Sequence, residues 1–338
     1  MRGLLAAVLA GWAVMAAPPA PAQVLTFDQL DGWQADDQLA ALDSFRATCD
    51  LLDGPEWGPL CKLAADIKTA AAARDFFELM FRPVIVGDPP ALFTGYYEPE
   101  LDGSSVRTPR FAYPIYRRPP DLRDGQPYLT RAQIEGGALR GRGLELAWLD
   151  DPFEVYFLQV QGSGRIRMTD GRTIRVGYAG RNGHEYRSVG QEMIRRGTHT
   201  LDQVSAQEIR SYVRNVSGRS LLNVNPSYVF FRVIDTLEDD MGPIGAMTRP
   251  ITALRSVAID PQFTPLGVPV WIEKDGRAPI RSLMVAQDTG GAIKGPQRAD
   301  IFYGTGDAAG DLAGTVRDGG RMVLLLPIDR AYAMLPDG

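Results

Sequence analysis

Apolar residues recur at helical spacing in the first part of the chain. Two such sets are Leu39, Leu42, Phe45, Cys49 and Leu52, followed by Leu60, Leu63, Ile67, Phe76 and Met80. A Gly- and Pro-containing loop at 53–59 separates them, so the pattern predicts an N-terminal helical hairpin. Cys49 and Cys61 lie near its neck, where they either form a disulfide or remain two buried thiols. In both cases we expect a structural role, because C-x11-C alone is no metal site.

From about residue 90 the pattern changes to short β-rich runs that are broken by Gly and Pro. The runs predicted as strands are Ala91–Glu98, Phe111–Arg117, Leu144–Trp148, Phe153–Gln161, Thr173–Tyr178, Tyr228–Ile234, Leu254–Ile259, Val268–Ile272, Ser282–Gln287 and Arg321–Leu325. Three short helices interrupt them, since Thr130–Gln133, Ser188–Gln191 and Ser205–Glu208 match the capping-box pattern. The order predicts an α+β fold, mainly β, with barrel-like strand spacing.

The N-terminus has the order of a secretory signal. Arg2 precedes an apolar run at 3–17, which is followed by the sequence Ala20-Pro21-Ala22. This order predicts a signal peptide over residues 1–22, cleavage near Ala22 and export to the periplasm. The alternative is an uncleaved N-terminal anchor. After this run, the uninterrupted apolar stretches are too short to span a membrane, which argues against a polytopic membrane protein.

Charge and residue inventory exclude several classes of function. The 338 residues carry 36 Lys plus Arg against 41 Asp plus Glu, a net charge of −5, which argues against a nucleic-acid-binding protein. His184 and His199 are the two histidines, and neither a G-x-S-x-G nor a phosphate-binding glycine motif occurs. We therefore expect no metal or other cofactor. Catalysis by carboxyl groups is the chemistry that these residues still allow.

The acidic residues with the strongest catalytic pattern lie near the C-terminus. An apolar strand leads to Asp288 in a glycine turn, and Asp300 follows between Ala299 and Ile301. Burial among apolar neighbours raises the pKa of a carboxyl group, which can then act as a general acid near neutral pH. The alternative is a turn-capping Asp288 and a surface Asp300. Asp260 also ends an apolar strand, where turn formation is the favoured interpretation.

The sequence Asp288-Thr289-Gly290 is also the signature of aspartic proteases. Those enzymes need two such aspartates that share a proton. Because a second D-T-G or D-S-G is missing from the sequence, a protease would have to be a symmetric dimer.

A set of motifs extends in order from about residue 90 to 326. They are Thr94–Glu100, Tyr116–Pro120, Val155–Gly164, Asn225–Tyr228, Ser256–Pro261, Pro265–Gly267, Gln287–Gly295 and Asp300. Together these motifs resemble the lytic murein transglycosylase A family, including its C-terminal three-aspartate (3D) domain. The three named aspartates of the 3D domain match Asp260, Asp288 and Asp300.

The resemblance implies a double-psi β-barrel with an inserted second β-domain. Residues 23–102 and 241–338 would form the barrel, 103–240 the insert, and a groove between them would hold a glycan strand. Family members are often lipid-anchored to the outer membrane. This chain departs from them because no cysteine stands near the expected cleavage site, which leaves membrane association open.

The resemblance also implies the reaction. Such enzymes cut the β-1,4 bond between N-acetylmuramic acid and N-acetylglucosamine without water and leave a 1,6-anhydromuramic end. One carboxyl group can serve twice, since the tethered C6 hydroxyl of the sugar is the nucleophile. Asp300 would be this general acid and then base, Asp288 would support it, and Asp260 would be structural.

For glycan binding we expect aromatic faces and polar turn groups. The candidates are Tyr96, Tyr97, Gln161, Gly162, Ser163 and Tyr303, for which core packing or turn formation is the alternative. Lys294 or Arg298 could meet carboxylates of murein, with solvated loop charges as the alternative. The alternatives for the whole protein are a muramidase and a non-catalytic murein-binding scaffold. We expect a monomer and leave complexes of the cell wall or outer membrane, and exolytic or endolytic action, open.

Overall fold

The computed structural model describes residues 22–201 and 203–334, so most of the predicted signal peptide lies outside the described residues. The α-helices are α1 (Gln38–Cys49), α2 (Trp57–Ala65), α3 (Ala70–Met80), α4 (Arg131–Gln133), α5 (Pro152–Gln161), α6 (Val189–Arg195), α7 (Ala206–Tyr212), α8 (Asp307–Ala313) and α9 (Ile328–Ala333). Shorter 3₁₀ segments are Phe27–Gln29, Trp33–Ala35 and Gly218–Val224, and π-helical turns are Ile134–Ala138 and Val213–Ser217. In the described part of the chain, no helix combines the length and apolar character needed to cross a membrane.

Helices α1 to α3 occupy the segment where the apolar spacing predicts helix. Asp37 caps α1, since its carboxylate accepts hydrogen bonds from the backbone N–H groups of Leu39 and Ala40. A disulfide joins Cys49, the last residue of α1, to Cys61 in α2. Of the two states that the sequence left open, the structure therefore has the disulfide.

Loss of this disulfide should lower stability without changing the fold. Cys49→Ser combined with Cys61→Ser frees the loop between α1 and α2, and we expect the free energy of unfolding to fall by about 2–4 kcal/mol. Urea denaturation followed by circular dichroism measures the change. The unreduced and reduced wild-type protein are the control pair, and equal midpoints for the two would contradict the prediction.

Fifteen strands follow or flank these helices within the described residues. They are β1 (Ala22–Val24), β2 (Phe81–Val86), β3 (Leu92–Glu98), β4 (Glu100–Ser104), β5 (Tyr113–Tyr116), β6 (Glu145–Leu149), β7 (Ser163–Met168), β8 (Thr173–Arg181), β9 (Val229–Val233), β10 (Ser256–Ile259), β11 (Pro269–Lys274), β12 (Ile280–Thr289), β13 (Arg298–Thr305), β14 (Arg317–Asp318) and β15 (Gly320–Pro327). The fold is mixed and mainly β, as expected.

The strands form two sheets. The first has nine strands in the order β1-β2-β15-β11-β12-β10-β13-β3-β14 and is nearly closed into a barrel. All six residues of Pro269–Lys274 are buried, because β11 lies between β12 and β15. The main core combines these strands with apolar residues of α1 to α3, among them Phe45 and Trp57.

The second sheet is built from residues 100–233. Its six strands have the order β5-β6-β4-β7-β8-β9, and a bridge between Arg117 and Phe231 brings the two ends of the sheet together. The side chains of Ser188 and Ser205 cap α6 and α7, since they accept hydrogen bonds from the N–H groups of Gln191 and Glu208. Of the three predicted capping boxes, that of Thr130 and Gln133 at α4 has both of its reciprocal hydrogen bonds.

The predicted strand Phe153–Gln161 is wrong, because this segment is α5. Its apolar residues face two cores: Val155 and Leu158 pack on the six-stranded sheet, while Phe153 packs with α6 and neighbouring segments. A helix buried on two sides is apolar nearly all round and loses the one-sided period by which helices are recognised. Asp151 at the N-cap, Pro152 at the first position and Gly162 in the left-handed region at the C-terminus are the helix signals present.

A buried ionic cluster joins the two sheets where β3 leads into β4. The Glu98 carboxylate is fully buried and accepts hydrogen bonds from Arg165 Nε at 3.0 Å and from Arg175 Nε and Nη2 at 2.7 Å each. Thr305 Oγ1 donates a fourth bond at 2.9 Å. Since Glu98 and Thr305 belong to the first sheet and both arginines to the second, this cluster fixes one sheet against the other.

Candidate active site

Strand pairing brings two of the predicted aspartates to one row of the nine-stranded sheet. Ala258 of β10 pairs with Asp288 of β12 on one side and with Asp300 of β13 on the other. Neighbouring strands are about 4.8 Å apart, so the two aspartate Cα atoms are roughly 10 Å apart. The next residue in the row is Thr94 of β3. A small side chain, Ala258, therefore separates two carboxyl groups on one face of the sheet.

Asp288 is held by three hydrogen bonds. Its Oδ1 accepts from the N–H of Ala246 at 3.0 Å and from that of Thr289 at 2.9 Å, and its Oδ2 accepts from Tyr96 Oη at 2.9 Å. Burial raises the pKa of Asp288 to about 6, an effect that these hydrogen bonds reduce and the charge of Asp300 increases. Both carboxylate oxygens have hydrogen-bond partners, which suits a residue that stabilises nearby positive charge or orients the loop around it.

Asp300 has fewer hydrogen-bond partners than Asp288. Its Oδ1 accepts from Thr94 Oγ1 at 2.5 Å, while its Oδ2 has no hydrogen-bond partner among the described residues. Arg298 Nη2 donates to Thr94 Oγ1 at 2.9 Å, which orients the threonine. Burial raises the pKa of Asp300 above its ordinary value, against the opposing effects of Thr94 and Arg298. A carboxyl group with one free oxygen and a raised pKa can exchange a proton with a bound molecule.

Alternate residues of β3 supply contacts that the sequence did not reveal. Thr94, Tyr96 and Glu98 share one face of the strand, and they bind Asp300, Asp288 and the two arginines of the buried cluster, respectively. Tyr96 is buried, and its ring packs on Phe302. The polar residues at every second position of Thr94–Glu98 were the signal that could have identified Thr94 as part of the site.

Tyr97, Gln161, Gly162 and Ser163 meet where the two sheets adjoin. Gln161 Oε1 accepts from the backbone N–H of Tyr97 at 2.9 Å, and the Tyr97 ring packs on Phe157 of α5. Gly162 ends α5 with φ of 83°, a conformation that favours glycine. Ser163 is buried at the start of β7. These residues connect the sheets, whereas the hydrogen bonds to the two aspartates come from other residues.

Tyr303 packs against the main core beside Gly95 rather than bonding to an aspartate. Burial raises the pKa of Tyr303 to about 12, with smaller contributions from Asp318 and Asp300.

Asp260 lies beyond β10 and is buried. Its Oδ2 accepts from the N–H of Gly295 at 3.0 Å and its Oδ1 from that of Gln262 at 3.3 Å. The exposed Lys294 has its Nζ 3.8 Å from Asp260 Oδ1. Asp260 thus links the turn after β10 to the loop after β12.

The loop that follows Asp288 faces the second sheet. A Cβ atom added to Gly291 would lie 3.7 Å from Arg181 Nη1 and 3.9 Å from Tyr186 Cβ. Arg181 ends β8, so both structural parts border the region beside the aspartates. Among residues 22–201 and 203–334, no group of three His, Cys, Asp or Glu side chains is arranged to hold a metal ion.

The raised pKa of Asp288 predicts a pH dependence of stability. Between about pH 4 and pH 6 the folded protein binds a proton at Asp288 that the unfolded chain has released. This contribution is fully present below about pH 4 and is lost as the pH rises through 6. The free energy of unfolding of the wild type should therefore fall as the pH rises from 4 to 6. In Asp288→Asn this fall should be smaller by about 2–3 kcal/mol.

Urea denaturation at pH 4, 5, 6 and 7 measures this difference. Asp88→Asn, which changes an exposed aspartate, is the matched control and should reproduce the wild-type profile. A profile of Asp288→Asn as steep as that of wild type would show that Asp288 does not titrate in this range.

Known protein families contain the two domains found in this chain. Residues 92–232 match the MltA specific insert domain and residues 255–326 the 3D domain. Membrane-bound lytic murein transglycosylase A of Escherichia coli (strain K12) is 39% identical over 247 residues, which cover 69% of this chain and 65% of the relative. The alignment therefore spans slightly less than two thirds of that protein's length.

Two solved structures extend this similarity to the fold. The crystal structure of membrane-bound lytic murein transglycosylase from Agrobacterium tumefaciens has a TM-score of 0.82 at 32% identity and covers 92% of this chain and 99% of its own. That of E. coli MltA with bound chitohexaose has a TM-score of 0.70 at 30% identity, covering 86% of this chain and 89% of its own. The Asp288-Thr289-Gly290 sequence lies inside the matched 3D domain.

Proposed function

Because the chain belongs to the membrane-bound lytic murein transglycosylase A family, we propose that it is a peptidoglycan lytic transglycosylase. It cleaves the β-1,4 bond between N-acetylmuramic acid and N-acetylglucosamine and leaves a 1,6-anhydromuramic end. The observation that carries this proposal is Asp300, a carboxyl group with a raised pKa and a free Oδ2 on a face that it shares with Asp288.

Asp300 serves first as acid and then as base. Its proton passes to the glycosidic oxygen as the bond to C1 of the muramic sugar breaks. The C6 hydroxyl oxygen of the same sugar bonds to C1, and its proton returns to the Asp300 carboxylate. Since the nucleophile is tethered to the reacting carbon, a second catalytic carboxylate is not needed for the attack. Water is neither consumed nor released.

Asp288 supports the charge that develops at C1. Its two oxygens are bonded to Tyr96 and to two backbone N–H groups, which stabilise the anion and hold its position. At pH 7, a pKa of about 6 leaves Asp288 mainly ionised. A negative charge on this face favours an oxocarbenium-like transition state.

The glycan strand lies between the two sheets. The approach of Gly291 to Arg181 and Tyr186 supports the proposal that these residues line one wall of the groove. Tyr97, Gln161, Gly162, Ser163 and Tyr303 are proposed to shape its substrate-binding surface, and Tyr96 to act through Asp288. The complex of E. coli MltA with chitohexaose supports an oligosaccharide of N-acetylated sugars as the type of ligand.

The proposal also covers the domain architecture of the protein and its location in the cell. Residues 23–102 and 241–338 form a double-psi β-barrel with an N-terminal helical hairpin, residues 103–240 form the insert, and Asp260 has a structural role. The protein is exported, acts on periplasmic murein and works as a monomer. The relatives' description as membrane-bound supports contact with a membrane.

Mass spectrometry of the products tests the proposed reaction. Residues 23–338 are incubated with purified murein, and we expect released muropeptides that are lighter by one water than the corresponding reducing-end products. Reducing-end products would instead identify a muramidase. Murein binding without release by the folded protein would favour a scaffold.

A further inference from the structure

A cavity of about 460 Å³ lies in the part of the chain that forms the six-stranded sheet. All of its lining residues fall between 107 and 228, so none comes from the nine-stranded sheet that carries the aspartates. We call it the insert cavity. Four aromatic side chains line it: Tyr113, Tyr116, Trp148 and Tyr228. They provide apolar surface for a bound molecule.

Three guanidinium groups line the insert cavity without a hydrogen-bonded or ion-paired carboxylate in the described part of the chain, and only the charge of Glu135 acts on one of them, Arg219. Arg107, Arg140 and Arg219 line it, are exposed, and make no side-chain hydrogen bond or ion pair with any described residue. Arg107 lies 6.0 Å from the centre of the Trp148 ring, and Arg219 lies 6.0 Å from that of Tyr113. These contacts hold the cations near the rings and leave their N–H groups available.

Glu135 adds one acceptor to this positive site. Its Oε1 accepts from Arg131 Nη1 at 3.3 Å, while its Oε2 is buried and has no hydrogen-bond partner among residues 22–201 and 203–334. Because Glu135 is ion-paired with the buried Arg131, its single carboxylate does not balance the three cavity arginines. An N–H group of a ligand would satisfy Glu135 Oε2.

A second cavity adjoins the first. It has a volume of about 640 Å³ and shares Tyr113, Pro152 and Arg219 with the insert cavity. The second cavity is also lined by Asp150, Asp151 and Arg214, and Arg214 is ion-paired with Asp151. The arginines without an ion pair therefore belong to the insert cavity, and the ligand chemistry that matches it combines carboxylates for these arginines with amide N–H groups for Glu135.

We propose that the insert cavity binds a carboxylate-bearing peptide of murein while the glycan strand occupies the groove beside Asp288 and Asp300. Murein is the natural source of such a peptide under the proposed function, on which this inference rests. A carboxylate pairs with Arg107, Arg140 or Arg219, and a peptide N–H donates to Glu135.

Isothermal titration calorimetry tests this proposal with three probes. The first is the disaccharide N-acetylglucosaminyl-N-acetylmuramoyl peptide, which lacks the scissile linkage. The second is the same compound with its carboxylates amidated, and the third is chitohexaose. The first probe is also titrated in the presence of saturating chitohexaose, so that binding in the glycan groove does not obscure binding in the insert cavity.

The decisive variant combines Arg107→Gln, Arg140→Gln and Arg219→Gln. We expect it to weaken binding of the acidic disaccharide peptide by about tenfold or more and to leave chitohexaose binding unchanged. The matched control combines Arg123→Gln, Arg232→Gln and Arg277→Gln, which change three exposed arginines that lie outside the cavity lining. It has the same net charge as the decisive variant and should bind as wild type does.

Two results would overturn the proposal. One is equal binding of the acidic disaccharide peptide by wild type and the decisive variant. The other is a loss of chitohexaose binding in that variant, which would identify a neutral glycan site. Product release from murein is measured in parallel. Normal release with unaltered peptide binding would reject the insert cavity as the peptide site and leave the proposed reaction intact. Peptide binding without any release would reject the proposed reaction and leave the peptide site intact.

Discussion

Asp300→Asn should lower the rate of murein product release by about 10²–10⁴-fold. Asparagine keeps the size of the side chain and can still contact Thr94, but it has no proton to give to the glycosidic oxygen. It also cannot take the proton of the C6 hydroxyl. We expect Asp300→Asn to fold normally, because the ionic cluster at Glu98 and the main core do not involve this residue.

Product release per minute, quantified by chromatography and mass spectrometry, measures this loss. Asp311→Asn, an exposed aspartate of α8, is the control and should retain wild-type activity. Both variants should also bind chitohexaose as wild type does. A rate within threefold of wild type for Asp300→Asn would place the acid elsewhere, and Asp288 would then be the next candidate.

Glu98→Gln should destabilise the protein strongly, although the substitution keeps the size of the side chain. The fully buried carboxylate accepts hydrogen bonds from two arginines whose side chains are only 9% and 16% exposed. Removal of its charge leaves both cations without a counter-charge, and such losses typically cost about 3–5 kcal/mol. We expect the melting temperature to fall by roughly 5–10 °C.

Differential scanning calorimetry and urea denaturation measure this change. Glu100→Gln is a close control, because Glu100 is two residues away, partly exposed and 3.6 Å from Arg167. It should alter the free energy of unfolding by less than about 0.5 kcal/mol. If Glu98→Gln were as stable as Glu100→Gln, the cluster would be better described as a surface ion pair.

The sequence alone predicted the family, the mixed, mainly β fold and the residues of the aspartate motif. These features follow from short-range information: short β-rich runs such as Leu254–Ile259, capping residues such as Ser188 and Ser205, and motifs such as Gln287–Gly295. Nine of the ten predicted strands overlap observed ones. The disulfide was one of two alternatives, because spacing along the chain does not state the distance between two sulfurs.

Only the tertiary structure decided which residues surround each aspartate. Thr94 and Asp300 are 206 positions apart, and Tyr96 and Asp288 are 192 apart, so strand order and register bring them together. The same holds for Glu98, whose arginine partners come from the other sheet. The segment of α5 has the apolar pattern of a buried strand because the helix lies between two cores. Local patterns determine which segments can form helices or strands, whereas non-local pairing determines which side chains meet and therefore which carboxyl group stays free to react.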